Sequence, residues 1–434
     1  MNFTLFFEET MLDTNLTRSR DLADLGKLRI NGARLWDALM RLAKIGATPK
    51  GGVCRIALTE LDGQGRDFFI AEAKKAGCTI RIDAVGNIFA RRAGRYPDKP
   101  VVMTGSHIDT QPTGGKFDGN YGVLAGLEVL HTLNDHNVET DSPLEVVVWT
   151  NEEGSRFVPV MMGSGTFVGE FKTDFILEQQ DRDGVTVGQA LERIQYNGKD
   201  VVSPKGIGAF FEVHIEQGPV LEANQTTIGV VTAALGQRWF DVKITGMEAH
   251  AGPTPMSLRQ DALLAASTLV LDVNRIALER SPHARGTVGV LDVYPSSRNV
   301  IPGSINMTVD FRAQDDATLS SMADALHAAA QALEISSKVK IEIKQVVYFP
   351  PQPFDQKLVS DIRESSTQMG FSNMDVVSGA GHDAVYMTRV APTVMIFIPC
   401  KDGISHNEIE DADPVHIEAG CNVLLQAMLR QAFA

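Results

Sequence analysis

Four stretches of the chain place metal-capable side chains in or just after apolar runs. In GSHIDTQPTGGKFDG, His107 and Asp109 form an HxD pair, and Asp118 follows eleven positions after His107 in a glycine-rich loop that opens a helix. A neutral imidazole binds a divalent ion, and a carboxylate two residues away can orient it through the other ring nitrogen. LEVVVWTNEEGSRF sets Glu152 beside Glu153 after an apolar run; if one carboxylate ligates a metal, its neighbour can serve as general base on a water. FFEVHIEQGPVLE carries His214 and Gln217, and VMIFIPCKDGISHNEIE carries His406. Each has a plainer reading alone: a loop histidine with an Asp helix cap, a solvated acidic pair, a core histidine. Together His107, Asp118, Glu153, His214 and His406 supply three imidazoles and two carboxylates. That set suits Zn²⁺, Mn²⁺ or Co²⁺ better than Mg²⁺ or Ca²⁺, which take oxygen shells. Five ligands exceed what one open catalytic zinc needs, so a two-metal site is expected.

Further polar points lie later in the chain. His250 sits among small residues in GMEAHAGPTPM, Asn299 in SSRNVIPG, and Arg312 ends VDFR. Arg312 could clamp a carboxylate with two parallel N–H donors, although a surface ion pair is the commoner role for such an arginine. His382 occupies a Gly-rich turn, whereas His131, His136, His283, His327 and His416 lie in helical patterns or near loops. The chain has no GxSxG elbow, HExxH or Walker A loop, which argues against a serine hydrolase, a zincin and a P-loop enzyme.

The elements that must position these residues follow from periodicity. Helical spacing occurs at 33–44, 66–76 and 122–133, and strand-like runs at 79–84, 87–90, 100–104 and 144–149. Apolar strands alternating with helices indicate an α/β sheet, whose strand carboxyl ends are where ligands bind. A different rhythm begins near Ile228: strand 239–245, helix 258–276, strands 286–293 and 304–311, helix 317–333 and strand 338–346. This β-α-β-β-α-β order is ferredoxin-like. The expected organisation is a catalytic α/β domain of residues 1–229 and 347–434, interrupted by an inserted α+β domain of residues 230–346.

A chain of 434 residues is long enough for two or three domains with their own cores. The net charge of −14, with no Lys/Arg run of five, disfavours a nucleic-acid partner. No apolar window approaches membrane-spanning length, and the N-terminal apolar run has no basic flank and is followed by Glu8 and Glu9, unlike a signal peptide. Four cysteines without a CxxC pair read as reduced thiols, which points to the cytoplasm.

With these residues assembled, the chain resembles the amidase, hydantoinase/carbamoylase branch of the M20 metallopeptidase superfamily. The likeness runs in order through GSHIDTQPTGGKFDG, TNEEGSRF, HIEQGPVLE, AHAGPTPM, RNVIPG, SGAGHDA and GISHNE. The first twenty residues lie outside it, and Met11 is an alternative start. The resemblance implies a di-metal catalytic domain with an inserted lid, and a homodimer formed through the lids. Asp118 would bridge two ions, His107 and His214 would complete one site, and Glu153 and His406 the other. Glu152 would be the general base, Asp109 the partner of His107, and His250 the oxyanion donor, reaching across from the second subunit. Gln217, Arg238, Asn299 and Arg312 would bind substrate, with the Gly379–Gly381 backbone. His214 replaces the acidic ligand usual in the peptidases, and the gap from His107 to Asp118 is shorter than theirs. The implied reaction is hydrolysis of the ureido C–N bond of an N-carbamoyl amino acid, whether of β-alanine or of an L-α-amino acid. An allantoate amidohydrolase or related ureide hydrolase is the nearest rival. A non-catalytic binding protein on the same scaffold is the rival of another class.

Overall fold

Strands that read as unbroken apolar runs have to be covered on both faces, and here they form the centre of a mixed sheet. The structure, a computed structural model, describes Leu25–Ala434. The expectations about a leader segment and about Met11 fall outside the described residues. The chain divides into two compact units. One comprises the described residues up to Thr232 together with Phe354–Val376 and His382–Ala434; the other comprises Ala233–Pro353 and Val377–Gly381.

In the first unit the elements are, in chain order, α1 (Gly32–Leu42), α2 (Glu60–Lys75), β1 (Thr79–Ile82), β2 (Ile88–Arg92), β3 (Val101–His107), α3 (Asn120–Asp135), β4 (Leu144–Trp149), β5 (Ile207–Ile215) and β6 (Ile228–Ala234). Helix α2 begins six residues before the start that periodicity predicts. Thr59 caps it by accepting the Asp62 N–H, and the buried Asp62–Arg66 ion pair at 2.8 Å braces the first turn. Gly65 interrupts the apolar spacing because Arg55 passes there: a Cβ would stand 2.9 Å from Arg55 Cδ.

The second unit follows with β7 (Gly236–Thr245), β8 (Ala249–His250), α4 (Ala262–Leu278), β9 (Arg285–Thr287), β10 (Leu291–Tyr294), β11 (Val300–Ile301), β12 (Ser304–Ala313), α5 (Asp316–Ser337), β13 (Lys340–Phe349) and β14 (Gln352–Pro353). Its main sheet runs β10-β12-β7-β13, with β9 also on β12, and every pairing is antiparallel. Phe240, Val242 and Ile244 alternate along β7, and Ile305, Met307, Val309 and Phe311 along β12, to bury one face with apolar residues of α4 and α5. Two boundaries differ from the sequence reading. Helix α4 starts at Ala262, because Asp261 accepts the Leu263 and Leu264 N–H groups as a cap. The single strand expected over 286–293 is two strands, with Gly289 where the ladder lapses.

The chain then returns to the first unit through α6 (Gln356–Gln368), β15 (Asn373–Ser378), β16 (Thr393–Ile398) and α7 (Pro414–Ala432). The central sheet has the order β1-β2-β4-β3-β5-β16-β6-β14, with β15 also on β6. The inner strands β4, β3, β5 and β16 are mutually parallel. Every residue of β4 and of β16 is buried. Among the described residues no helix is long and apolar enough to cross a membrane.

Candidate metal centre

The four parallel strands end at one edge of the sheet, and each delivers a functional side chain there, as open α/β sheets do. His107 is the last residue of β3, and His214 is the penultimate residue of β5. Glu152 and Glu153 follow β4, and His406 follows β16. Register confirms the alignment, since His107 pairs with Trp149 and His214 with Phe397. Asp118 comes from the loop between β3 and α3. The turn bearing the two glutamates is tied to residues 161–163 by three backbone bonds, among them Met161 N–H to Glu152 O at 2.8 Å. Asn151, Gln217 and His406 all hold positive φ there, at 53°, 56° and 53°. Such backbone geometry concentrates at functional sites.

Two donor clusters share Asp118: His107, Asp118 and His214 form one, and Asp118, Glu153 and His406 the other. Asp118 Oδ1 lies 3.2 Å from His214 Nε2 and 3.6 Å from His107 Nε2. Its other oxygen, Oδ2, lies 3.3 Å from His406 Nε2, which is 3.2 Å from Glu153 Oε2. A tetrahedral ion with bonds of about 2.0–2.1 Å spaces its donors about 3.3–3.4 Å apart, close to these spacings, although His214 Nε2 here accepts the Gly119 N–H at 3.1 Å. Both inner rings are oriented through Nδ1, on Asp109 O at 2.9 Å for His107 and on Ile215 O at 2.8 Å for His214. That turns each Nε2 toward Asp118. The expected partner of His107 is thus met by the main-chain oxygen of Asp109. The Asp109 carboxylate stands 3.9 Å from the ring and accepts the Glu152 and Glu153 N–H groups at 3.3 Å each.

Electrostatics follow from burying this many carboxylates together. Burial disfavours a charged His107, but Glu152, Asp118 and Asp109 more than offset it and raise its pKa well above the ordinary imidazole value. His406, 49% exposed at its side chain, is raised to about 9, chiefly by its bond to Asp118. Glu153 is pushed up to about 7 by burial and by Asp118. Glu152 goes well above the usual carboxylate range, through burial first and then the nearby Asp383 and Glu153. This is negative charge that cations would balance. Glu152 belongs to neither cluster, yet its Oε2 is 3.5 Å from His107 Nε2. His382, buried with its ring centroid 4.7 Å from that of His214, is driven well below the ordinary imidazole value by burial and by His214.

Gln217 Nε2 donates to Asp118 Oδ2 at 2.8 Å, while its buried Oε1 has no hydrogen-bond partner. In the second unit, β8 pairs with β11 and sets His250 opposite Val300, next to Asn299; both side chains are exposed. Arg312 is paired with Asp310 at 2.9 Å and donates to Gly379 O at 2.7 Å. Gly379 and Gly381 are exposed. Arg238 is not grouped with Arg312. Opposite residues in an antiparallel pair share a face, and Arg238 pairs with Phe311, so it points toward the helices while Arg312 points away from them. Its guanidinium bonds Ser320 at 2.9 Å and lies 4.7 Å from the Tyr348 ring centre, while its buried Nε has no hydrogen-bond partner.

Sequence reasoning passed over several residues. Gln111 grips Glu153, with Nε2 at 2.8 Å from Oε2 and its backbone N–H on Oε1 at 3.1 Å. Glu212 accepts from Ser106 at 2.7 Å and from the Ala384 N–H at 2.9 Å behind the two histidines. Ser405 and Glu410 stand at Asp118. All lie inside or beside the quoted motifs, and polar residues flanking a candidate ligand in sequence were the signal available.

The description "Peptidase family M20/M25/M40" matches residues 103–430. The chain is 45% identical over 404 residues to an N-carbamoyl-L-amino-acid amidohydrolase of Rhizobium meliloti, covering 93% of this chain and 97% of that one. It is 34% identical to the allantoate amidohydrolase of Bacillus subtilis, over 92% and 97% of the two chains. A crystal structure of an amidase of the hydantoinase/carbamoylase family from Burkholderia multivorans superposes with a TM-score of 0.91 at 55% identity, covering 94% and 99%. On these likenesses the chain belongs to the M20/M25/M40 peptidase family, in its hydantoinase/carbamoylase amidase branch.

Proposed function

We propose that this protein is a metal-dependent amidohydrolase that cleaves N-carbamoyl-L-α-amino acids with water to the amino acid, ammonia and carbon dioxide. The observation that carries the reading is the pair of donor clusters sharing Asp118, with the buried Glu152 beside them and outside both. A purely structural metal site needs no spare carboxylate, which speaks against a binding protein on this scaffold. The amino-acid class of the substrate is taken from the 45% identical Rhizobium relative; N-carbamoyl-β-alanine and allantoate are the competing substrates.

His107, Asp118 and His214 would hold one divalent ion and Asp118, Glu153 and His406 a second, Zn²⁺ or Mn²⁺ with Co²⁺ as a third option, supplying Lewis acidity at the ureido carbonyl and a more acidic water. Glu152 takes the proton from the attacking water and returns it to the leaving nitrogen, as a buried carboxylate with a raised pKa can. His250 accepts the Gly252 N–H at Nδ1, 3.1 Å away, so its Nε2 carries the proton and can donate to the developing oxyanion. Arg312 receives the substrate carboxylate, with Gln217, Asn299 and the Gly379 and Gly381 backbone around the rest of the molecule.

We assign the second unit as lid and dimerisation domain. Leu264, Leu271 and Leu278 are 59%, 69% and 66% exposed and recur every seventh residue along α4, a line of leucines suited to a second copy. The four free cysteines fit a cytoplasmic location.

The test is ammonia release by chelator-stripped protein reloaded with Mn²⁺, Co²⁺ or Zn²⁺, against N-carbamoyl-L-α-amino acids, N-carbamoyl-β-alanine, allantoate and a dipeptide. Metal-dependent turnover led by an N-carbamoyl-L-α-amino acid supports the assignment. Preference for allantoate reassigns the substrate, and silence on every ureide in metal-loaded protein refutes the reaction.

A further inference from the structure

A carboxylate shared by two cations must present both oxygens in fixed directions, so its main chain and side chain both need restraint. Asp118 has little from secondary structure. It lies in an irregular loop containing Gly114, Gly115 and Gly119, after β3 has ended and before α3 begins. Besides the Gln217 amide on Oδ2, restraint comes from the far end of the chain. Glu410, 2% exposed, accepts the Phe117 N–H at 2.9 Å and the Asp118 N–H at 3.1 Å with a single oxygen, Oε1. Its Oε2 accepts from Ser405 Oγ at 2.9 Å, and that hydroxyl also lies 2.9 Å from Asp118 Oδ2.

We propose that Glu410, through the main-chain amides of Phe117 and Asp118, is the positioning residue that holds Asp118 in its ion-bridging orientation. This rests on the reading of Asp118 as the shared ligand. Glu410 holds the Asp118 amide directly, and its Oε2 and Asp118 Oδ2 both lie 2.9 Å from the Ser405 hydroxyl, whose single proton serves one of them at a time. Charge-assisted bonds of this kind are the stronger ones available to a neutral donor. The seat is made for it. A Cβ on Gly115 would stand 2.1 Å from both Cδ and Oε1 of Glu410, so only a glycine lets the carboxylate reach the two amides. Glu410 lies four residues beyond His406, so one loop supplies both a ligand and the clamp on the ligand it faces. The Thr113 hydroxyl, donating to His406 O at 3.3 Å, ties the two loops a second time.

The experiment compares Glu410→Ala, Glu410→Gln, Gly115→Ala and Ser405→Ala with the unmodified protein. It measures Mn²⁺ or Zn²⁺ bound per chain under graded chelator competition, and the Tm of the chelator-stripped form. Loss of a residue that orients a ligand typically costs about 10–100-fold in metal affinity. Glu410→Ala should lose that much for both ions. Gly115→Ala should do the same with Glu410 intact. Glu410→Gln keeps an acceptor oxygen for the two amides and should recover most of the affinity. Ser405→Ala leaves the amides bonded and should weaken binding several-fold with an unchanged stripped-form Tm. A Glu410→Ala protein that binds both ions with unaltered affinity, whatever its Tm, overturns the proposal and makes Glu410 a structural brace. If Glu410→Ala does not fold, Gly115→Ala decides, and unaltered affinity there overturns it. Absence of stoichiometric metal from the unmodified protein would instead refute the metal centre itself.

Discussion

Gly119 offers the sharpest perturbation of the centre, because one added methyl group acts on a single ring. The residue has φ 65° and ψ −46°, and the Asn120 N–H bonds Asp118 O at 2.7 Å across it, a γ-turn with positive φ. A side chain in that conformation costs about 1–3 kcal/mol of strain. The methyl would also stand 2.4–2.5 Å from Cε1, Nε2 and Nδ1 of His107, against the 3.4 Å at which ordinary contact begins. The ring must therefore retreat by about 1 Å, a misplacement that can cost about 10²-fold in rate. Gly119→Ala should thus fold with reduced stability, lose about 10²-fold in kcat, and lose metal affinity most at the His107–His214 cluster. Ammonia release, metal content and the Tm of chelator-treated protein read these separately. A folded variant with unaltered kcat and metal content would refute the reasoning, because His107 would then not be a ligand pinned against that glycine.

Other expectations concern single roles. Glu152→Gln should keep metal content and Tm while turnover falls about 10²–10⁴-fold, the range for loss of a general base; unchanged turnover removes Glu152 from that role. Arg312→Ala should raise KM for carboxylate substrates by about 10–150-fold, equivalent to about 1.5–3 kcal/mol for hydrogen bonds to a charged group, with kcat less affected. An unchanged KM in folded protein would withdraw the clamp. Leu271→Glu, at a 69% exposed position, should change the stability of the isolated chain by no more than about 0.5 kcal/mol but shift the proposed dimer to monomer in sedimentation. A dimer that survives places the interface elsewhere.

The candidate site residues were legible in the amino-acid order because a parallel strand advertises itself as an apolar run and its carboxyl end is where polar side chains become accessible to ligands. His107, Glu152, Glu153, His214 and His406 were each found by that pattern, and the βαββαβ rhythm of the second unit came from periodicity in the same way. Residues that act across long sequence separations were not legible. Glu410 meets Asp118 from 292 positions away, and its place four residues after His406 does not say which residue it reaches. Arg238 reads as a ligand-binding arginine, yet which side of β7 it faces follows from its register against β12, a property of pairing that composition does not carry. The orientation of His107 came from a main-chain oxygen, which no side-chain pattern announces. Local order thus specified which residues could bind a metal, and the tertiary structure decided which oxygen holds which nitrogen, because only folding brings the ends of four separate strands and a distant loop within hydrogen-bond reach.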